Sequence, residues 1–588
     1  VGSSPSAPPR LILDAWPTRA QFRPDDAGGL LLSASGAQPG ALSVVVRLLS
    51  GGEEVGRFDH RLEITADGSG NAEATFPLPA GPADGAAGYG IEVVVSDGPR
   101  EARATTAFDV ADHWSAAPRY GFFSDFDPDE PAIESERRAD DLLRLHVNVV
   151  QFYDWMASHH TFLPAETEFV DPLGRTLSHE VVRRKIVLAH QRGMAALAYG
   201  ALYGAEADFS STHPEWLLYD GAGRPLVLAD LFYLQDFSKA SGWREWILDQ
   251  YRTAITELGF DGIHIDQYGV PKSARSRASG RWREIDAGNE FPGFVEEAAA
   301  MLADLRPEGG SIFNCVNAWP LRAMTRATKD AATYIEVWEP HTTYRDLYEL
   351  IRRARDLRPA KQAILAAYLR PFHPGDGRGP GALNTYRLAS AAINASGGFH
   401  LVAGEGRGLL TEAYYPHYGT LTPDDFEVVR RYADFAVRHT ATLHAGPDAD
   451  IAWTHVGPTN DAVLLVHPEL EHYGAGARLG SLWVIGRIAG AVTSLQLVNL
   501  RGLQDDGWNV DQSAAPATLD DIEVRVRLAS DIDAVWWDTP DDDVGIPRPL
   551  PFQVADEDGG RFLVFRLPRI AFWSAVWWRA RTDPDDAT

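Results

Sequence analysis

The sequence predicts a multidomain α/β + β chain, a central (β/α)8 TIM-like barrel with a β-sandwich on each side. Three observations carry that prediction. The 588 residues exceed what a single hydrophobic core organises, so two to four domains are expected. The apolar period changes twice along the chain, from strict alternation to a strand-helix rhythm and back. Two central segments, FDGIHIDQYG at 260–269 and ATYIEVW at 332–338, run through β-branched residues to a carboxylate, as strands do when they carry a charged group to the mouth of a parallel barrel.

The first zone, 1–115, alternates in runs such as ALSVVVRLLS, HRLEIT and YGIEVVVSDG. Gly, Pro and Asp separate the runs, which predicts a small β-sandwich without helices. Its opening, VGSSPSAPPR, is a polar, Pro-rich tail with no signal core or cleavage site. In the second zone, 116–445, short apolar runs alternate with helical patterns such as ESERRADDLLRLH and SHEVVRRKIVLAHQRG. Eight strands are expected there: RYGFFSDF, VNVVQFYDW, MAALAYGALY, FDGIHIDQYG, SIFNCVN, ATYIEVW, QAILAAYLR and GGFHLVAGE. The third zone, 446–588, returns to strands, beginning with IAWTHVG and AVLLVHPEL and ending with RFLVFRLPRIAFWSAVWWRA. That pattern predicts a second sandwich.

Composition excludes several classes of function. A net charge of −28 repels nucleic acid and anionic membranes, and no apolar run reaches spanning length. The single cysteine, Cys315, excludes an intrachain disulfide, and no Cys/His spacing resembles a zinc site. Asp125, Asp127, Asp129 and Glu136 have calcium-loop spacing, but Glu130 stands where glycine is needed and Pro131 follows. Acids capping the next helix are the expected reading. Phosphate loops, nucleotide fingerprints and a Gly-x-Ser-x-Gly elbow are missing. The expectation is therefore no cofactor, no metal, a neutral substrate and a secreted, extracellular location, with any signal peptide outside this chain.

The two carboxylate strands point to sugar chemistry. Cleaving a glycosidic bond needs one carboxyl to protonate the leaving oxygen and another to answer positive charge at the anomeric carbon. Asp266 and Glu336 are the candidates. Asp266 is expected to stay ionised, and Glu336, between Tyr334 and Trp338, to have its pKa raised by desolvation. Asp261 competes with Asp266 but precedes the strand, and Glu339 competes with Glu336 but stands before Pro340 in a loop. Around the strand ends gather Asp125, Asp154 with Trp155, Tyr199 with Tyr203, His264, Asn317, Trp338 with Glu339, Tyr368 and Glu405. Aromatic faces cover sugar rings while Asp, Asn and His bond hydroxyls, so these are candidate substrate contacts. The alternative for any one of them is a structural role at the barrel rim. His159 and His160, being adjacent, are assigned to loop or substrate contacts.

Five segments, GFFSDF at 121–126, QFYDWM at 151–156, DGIHIDQYG at 261–269, YIEVW at 334–338 and HLVAGEGRGLLTEAYYPHY at 400–418, resemble glycoside hydrolase family 66. This is the family of bacterial dextranases and cycloisomaltooligosaccharide glucanotransferases. The resemblance implies an immunoglobulin-like amino-terminal sandwich and a carboxyl-terminal β domain. It also implies a retaining double displacement on α-1,6-glucan or isomaltooligosaccharide, with Asp266 as nucleophile and Glu336 as acid/base. The cyclising enzymes usually carry an inserted carbohydrate-binding module, and no strand-rich insertion lies between 118 and 445. Endo-type dextran hydrolysis is therefore the expected activity. Cyclising transfer is the alternative, and a non-catalytic carbohydrate-binding protein is the alternative of another class. The bulky Ile265 beside Asp266 is expected to reshape the cleft floor.

Overall fold

The structure is a computed structural model that describes residues 10–79, 85–444, 450–457, 460, 462–557 and 559–581. Most of the opening tail and the expected boundary near 446 lie outside the described residues. The eight expected central strands all form: β1 (Tyr120–Phe123), β2 (Val149–Phe152), β3 (Ala195–Ala201), β4 (Gly262–Asp266), β5 (Gly310–Asn314), β6 (Ala332–Glu336), β7 (Ala363–Ala366) and β8 (Phe399–Leu401). They pair in parallel and in chain order. Just past β8, Gly404 pairs in parallel with Phe122 of β1, so the sheet curls back toward its first strand.

Alternation along each strand separates two cores, because successive side chains point to opposite faces. Val149, Leu197, Ile312, Tyr334 and Ile364 cluster on the inside of the curl. Val150, Ala198, Ile263, Ile265, Phe313, Ile335 and Leu365 belong to a larger cluster that includes residues of the surrounding helices. Ile265 therefore points away from the cleft, and the expectation that it reshapes the floor is corrected: Asp266 faces in, so its neighbour faces out. Gly262 lets β4 and β5 approach, since a Cβ there would lie 1.7 Å from the Gly310 carbonyl oxygen.

The helices begin where the sequence supplies caps. Helix α1 (Ala132–Arg144) follows Pro131 with no side-chain cap. Instead of capping it, the acids before it form successive turns, with Asp127 N donating to Asp125 Oδ1 at 3.3 Å and Asp129 N to Asp127 Oδ1 at 2.8 Å. Helix α2 (His179–Gln191) is capped by Ser178. The strand-helix rhythm is broken once: between β5 and β6 the described chain makes only two short 3-10 turns, Val316–Ala318 and Ala323–Arg326. Helix α3 (Tyr344–Leu357), after β6, starts with a capping box of Thr343 and Asp346.

On the amino-terminal side, a three-stranded and a four-stranded antiparallel sheet bury Leu30, Val44, Val46, Ile91 and Phe108 between them. Arg119 ties these sheets to β1 through a two-pronged pair with Asp109. On the carboxyl-terminal side, a four-stranded and a six-stranded sheet enclose Leu482, Leu497, Val524 and Phe565. IAWTHVG, expected as a strand, instead contains a short helix, Ala452–His455. The Asp450 carboxylate takes the Ala452 N–H at 3.0 Å and the Gly486 N–H at 2.9 Å, which favours a turn start over extension.

Candidate active site

Asp266, Asn314 and Glu336 are the last residues of β4, β5 and β6, so one register of the curled sheet places three polar side chains side by side at its carboxyl end. The Asn314 amide Nδ2 donates to Asp266 Oδ1 at 2.7 Å and to Glu336 Oε2 at 2.9 Å. Bonded to one nitrogen, the two oxygens cannot be more than about 5.6 Å apart. Tyr199 OH donates to Asp266 Oδ2 at 2.8 Å. Tyr368 OH donates to Glu336 Oε1 in a close contact.

Burial, reinforced by the Glu336 charge, pushes Asp266 up to about 7 against the lowering effect of Asn314 and Tyr199. The rise thus falls on Asp266, where an ordinary ionised carboxylate was expected. Asp266 therefore holds its proton closer to neutrality than an ordinary carboxylate does. Beneath them, burial lowers His264 to about 3. Its neutral ring contacts Tyr120 OH through Nδ1 at 2.9 Å and stands edge-on to Tyr334.

These groups floor a cavity of about 430 Å3. One wall is aromatic: Tyr153 stacks on Tyr415 at 4.3 Å. His159, also in the lining, stacks on Phe232 at 4.3 Å. Asp154 lines the cavity from a left-handed backbone conformation (φ 45°), held by Arg175 donating to its carbonyl at 2.9 Å. Its carboxylate is 3.8 Å from His159 Nε2. Burial opposes charging His159, but Asp154, with Glu206 and Asp266 behind it, keeps the imidazole pKa above its usual value.

Of the residues expected here, Asp154, Tyr199, His264, Asp266, Glu336 and Trp338 line this cavity, and Tyr368 and Glu339 line its neighbour. Four do not. Trp155 is fully buried in the core and donates its Nε1–H to the Tyr199 carbonyl at 3.1 Å, so it supports the wall from behind. Asn317 spans two loops, accepting from Trp338 N at 3.1 Å and donating to the Glu339 carbonyl at 2.5 Å. Glu405 is fully buried, accepting from Ser124 N and Asp125 N at 2.7 Å each and pairing with Lys185 at 2.6 Å. Asp125 pairs with Arg138 at 2.8 Å beside that network, outside the cleft. Tyr203 is likewise buried, its hydroxyl donating to Val270 O at 2.7 Å. Asp261 sits at the other end of β4, accepting from Ala196 N and contacting His190.

The residues missed include the wall aromatics Tyr153, Phe232 and Tyr415 and, on the floor, Asn314. Within SIFNCVN it shares the inward parity of Ile312, as Asp266 shares that of His264, so alternation alone could have selected it over Asn317.

A cleft at the carboxyl ends of a curled parallel sheet, with paired carboxyls on its floor and aromatic walls, has the make-up of a carbohydrate-active enzyme. Comparison with known proteins is more specific. Glycosyl hydrolase family 66 matches residues 21–577, and the chain belongs to that family. It is 23% identical over 625 aligned positions to a cycloisomaltooligosaccharide glucanotransferase of Niallia circulans, covering 81% of this chain and 63% of the relative. With a second protein of that name and organism it shares 24% identity over 63% of this chain and 40% of the relative. The chain thus spans less than two thirds of the length of these curated relatives. Among solved structures, a Paenibacillus sp. cycloisomaltooligosaccharide glucanotransferase complexed with cycloisomaltoheptaose superposes with a TM-score of 0.84 at 20% identity. That match covers 96% of this chain and 99% of the other.

Proposed function

We propose that this family 66 enzyme cleaves α-1,6-glucosidic bonds by retaining double displacement and passes the glycosyl unit to a sugar hydroxyl, as a cycloisomaltooligosaccharide glucanotransferase does. The observation that carries the retaining mechanism is the single Asn314 nitrogen bonded to both carboxyls. The shared donor keeps one oxygen of each carboxyl within about 5.6 Å of the other, which favours the roughly 5–5.5 Å spacing of retaining pairs over the about 6.5–9.5 Å of inverting ones. We also read the curled sheet as a (β/α)8 barrel, supported by the pairing beyond β8 with β1, within zones 1–115, 116–445 and 446–588.

In the first step Asp266 attacks the anomeric carbon while Glu336 gives its proton to the departing oxygen. In the second, Glu336 takes the proton of the incoming hydroxyl, whose oxygen displaces Asp266. Asn314 holds both groups through the two steps, and Tyr199 and Tyr368 orient them from either side. The substrate class and the preference for transfer rest on the names of the relatives. The expected dextran hydrolysis is the weaker reading, because the Paenibacillus glucanotransferase is covered to 99%. Length without an inserted module therefore does not separate the two activities.

Incubation with dextran followed by chromatography of the products tests this. Cyclic isomaltooligosaccharides are expected. Linear products alone would return the reading to a hydrolase, and no products to a binding protein.

A further inference from the structure

A second cavity, of about 820 Å3, adjoins the catalytic one, and Trp338 and Ala413 line both. Its near wall comes from loops after the central strands, including Glu339, His341 and Arg370. Its far wall is residues 505–510, which lie between strands Val492–Asn499 and Leu519–Arg527 of the carboxyl-terminal sheets.

That far wall is fixed by hydrogen bonds to the segments that follow the central strands. Trp508 N donates to Thr342 O at 3.1 Å, and its indole Nε1 donates to His341 O at 2.9 Å. Tyr344 N donates to Asp506 O at 3.0 Å, and Arg370 N to Asn509 Oδ1 at 2.6 Å. Asp506 and Val510 both line the groove; the Asp506 carboxylate has no hydrogen-bond or ion-pair partner among the described residues, and Val510 is 43% exposed. At the junction Trp338 is 42% exposed and makes a T-shaped contact with Tyr368 at 5.5 Å.

The side on which this groove lies follows from the proton donor. Tyr368, hydrogen-bonded to Glu336, lines the second cavity, whereas Asp266 and Tyr199 line only the first. The acid delivers its proton to the leaving oxygen, so the leaving group, and the acceptor that replaces it, occupy the Glu336 side.

We propose that this groove is the acceptor site, that it holds a short isomaltooligosaccharide with its non-reducing end at Glu336, and that residues 505–510 of the carboxyl-terminal sheets set the choice between sugar and water. This rests on the double-displacement reading above. In the transfer step the acceptor 6-hydroxyl forms the new C1–O6 bond, its proton goes to Glu336, and the bond from C1 to Asp266 breaks. Water entering instead gives hydrolysis. A wall that binds the acceptor raises its local concentration over water without touching the first step.

The test uses α-isomaltosyl fluoride as donor, because fluoride leaves the groove empty, with isomaltotriose as acceptor, in the full chain and in Val510→Trp and Asp506→Ala. Fluoride release counts intermediates formed in each protein, and chromatography gives the ratio of transfer to hydrolysis per intermediate. Both variants are expected to lower that ratio about tenfold and to raise the acceptor concentration for half-maximal transfer by a similar factor. Ratios within twofold of the unmodified chain in both folded variants would overturn the assignment. Absence of fluoride release from the unmodified chain would instead bring down the double-displacement reading, and the acceptor assignment with it.

Discussion

Asp266 and Glu336, at the ends of strands β4 and β6, accept hydrogen bonds from the same nitrogen of Asn314 on the strand between them. The relationship limits their spacing, keeps the Glu336 charge beside the raised Asp266 carboxyl and assigns Asn314 a positioning task. Each consequence can be measured.

Asp266→Ala is expected to abolish turnover while leaving the fold and much of the sugar affinity, since other residues line the cavity. Azide with an activated donor restores product of inverted configuration, because a small anion fits where the carboxylate was. Turnover near that of the unmodified chain would remove Asp266 as nucleophile.

Glu336→Gln is expected to be very slow on dextran and much less impaired with α-isomaltosyl fluoride, whose leaving group needs little protonation. Glu339→Gln, which alters an exposed loop carboxylate, is expected to show no such dependence on leaving group. The reverse pattern would transfer the acid role to Glu339.

Asn314→Ala removes one donor from each carboxyl. With about 1.5–3 kcal/mol for a hydrogen bond to a charged group, kcat is expected to fall roughly 10–100-fold. Because the amide lowers the Asp266 pKa, its loss also moves the Asp266 limb of the pH profile to higher pH, a readout that simple loosening of the fold would not move. An unchanged profile in a folded variant would argue against a positioning role.

The pair also sets the pH dependence. Asp266 is raised to about 7 and must be ionised to attack the anomeric carbon, so kcat/KM is expected to rise as pH climbs through that value. The same shift acts on stability. An acid raised on folding contributes most below its unfolded pKa, near 4, and that contribution is lost as pH climbs to about 7. The melting temperature of Asp266→Asn minus that of the unmodified chain should therefore grow between pH 4 and pH 8. A constant difference would show that Asp266 has no raised pKa.

Glu405→Gln tests a residue that the fold removed from the cleft. Glu405 and Lys185 are both fully buried and 2.6 Å apart, and breaking such a pair costs about 3–5 kcal/mol. A large drop in melting temperature with KM for dextran unchanged is expected. A raised KM without destabilisation would return Glu405 to substrate binding.

The amino-acid sequence by itself determined the strands and their order, because period-two runs ending on Asp266 and Glu336 declare both the strand and the end that carries chemistry. It also carried the family resemblance, through five segments in register. What it left open were the contacts made by polar residues near strand ends. Glu405 and Asp125 were indistinguishable from cleft residues until α1 and α2 brought Arg138 and Lys185 against them. Trp155 follows Asp154 directly, yet one lines the cavity and the other fills the core, since adjacent side chains diverge. Asn314 had the inward parity in the sequence, but its bonds to both carboxyls came from the pairing of β5 with β4 on one side and β6 on the other. The far wall of the larger groove came from residues 505–510, distant in sequence from both carboxylates. Period and propensity are local properties of a chain, whereas burial, ion pairing and the shape of a cleft are decided by the segments that pack against each residue.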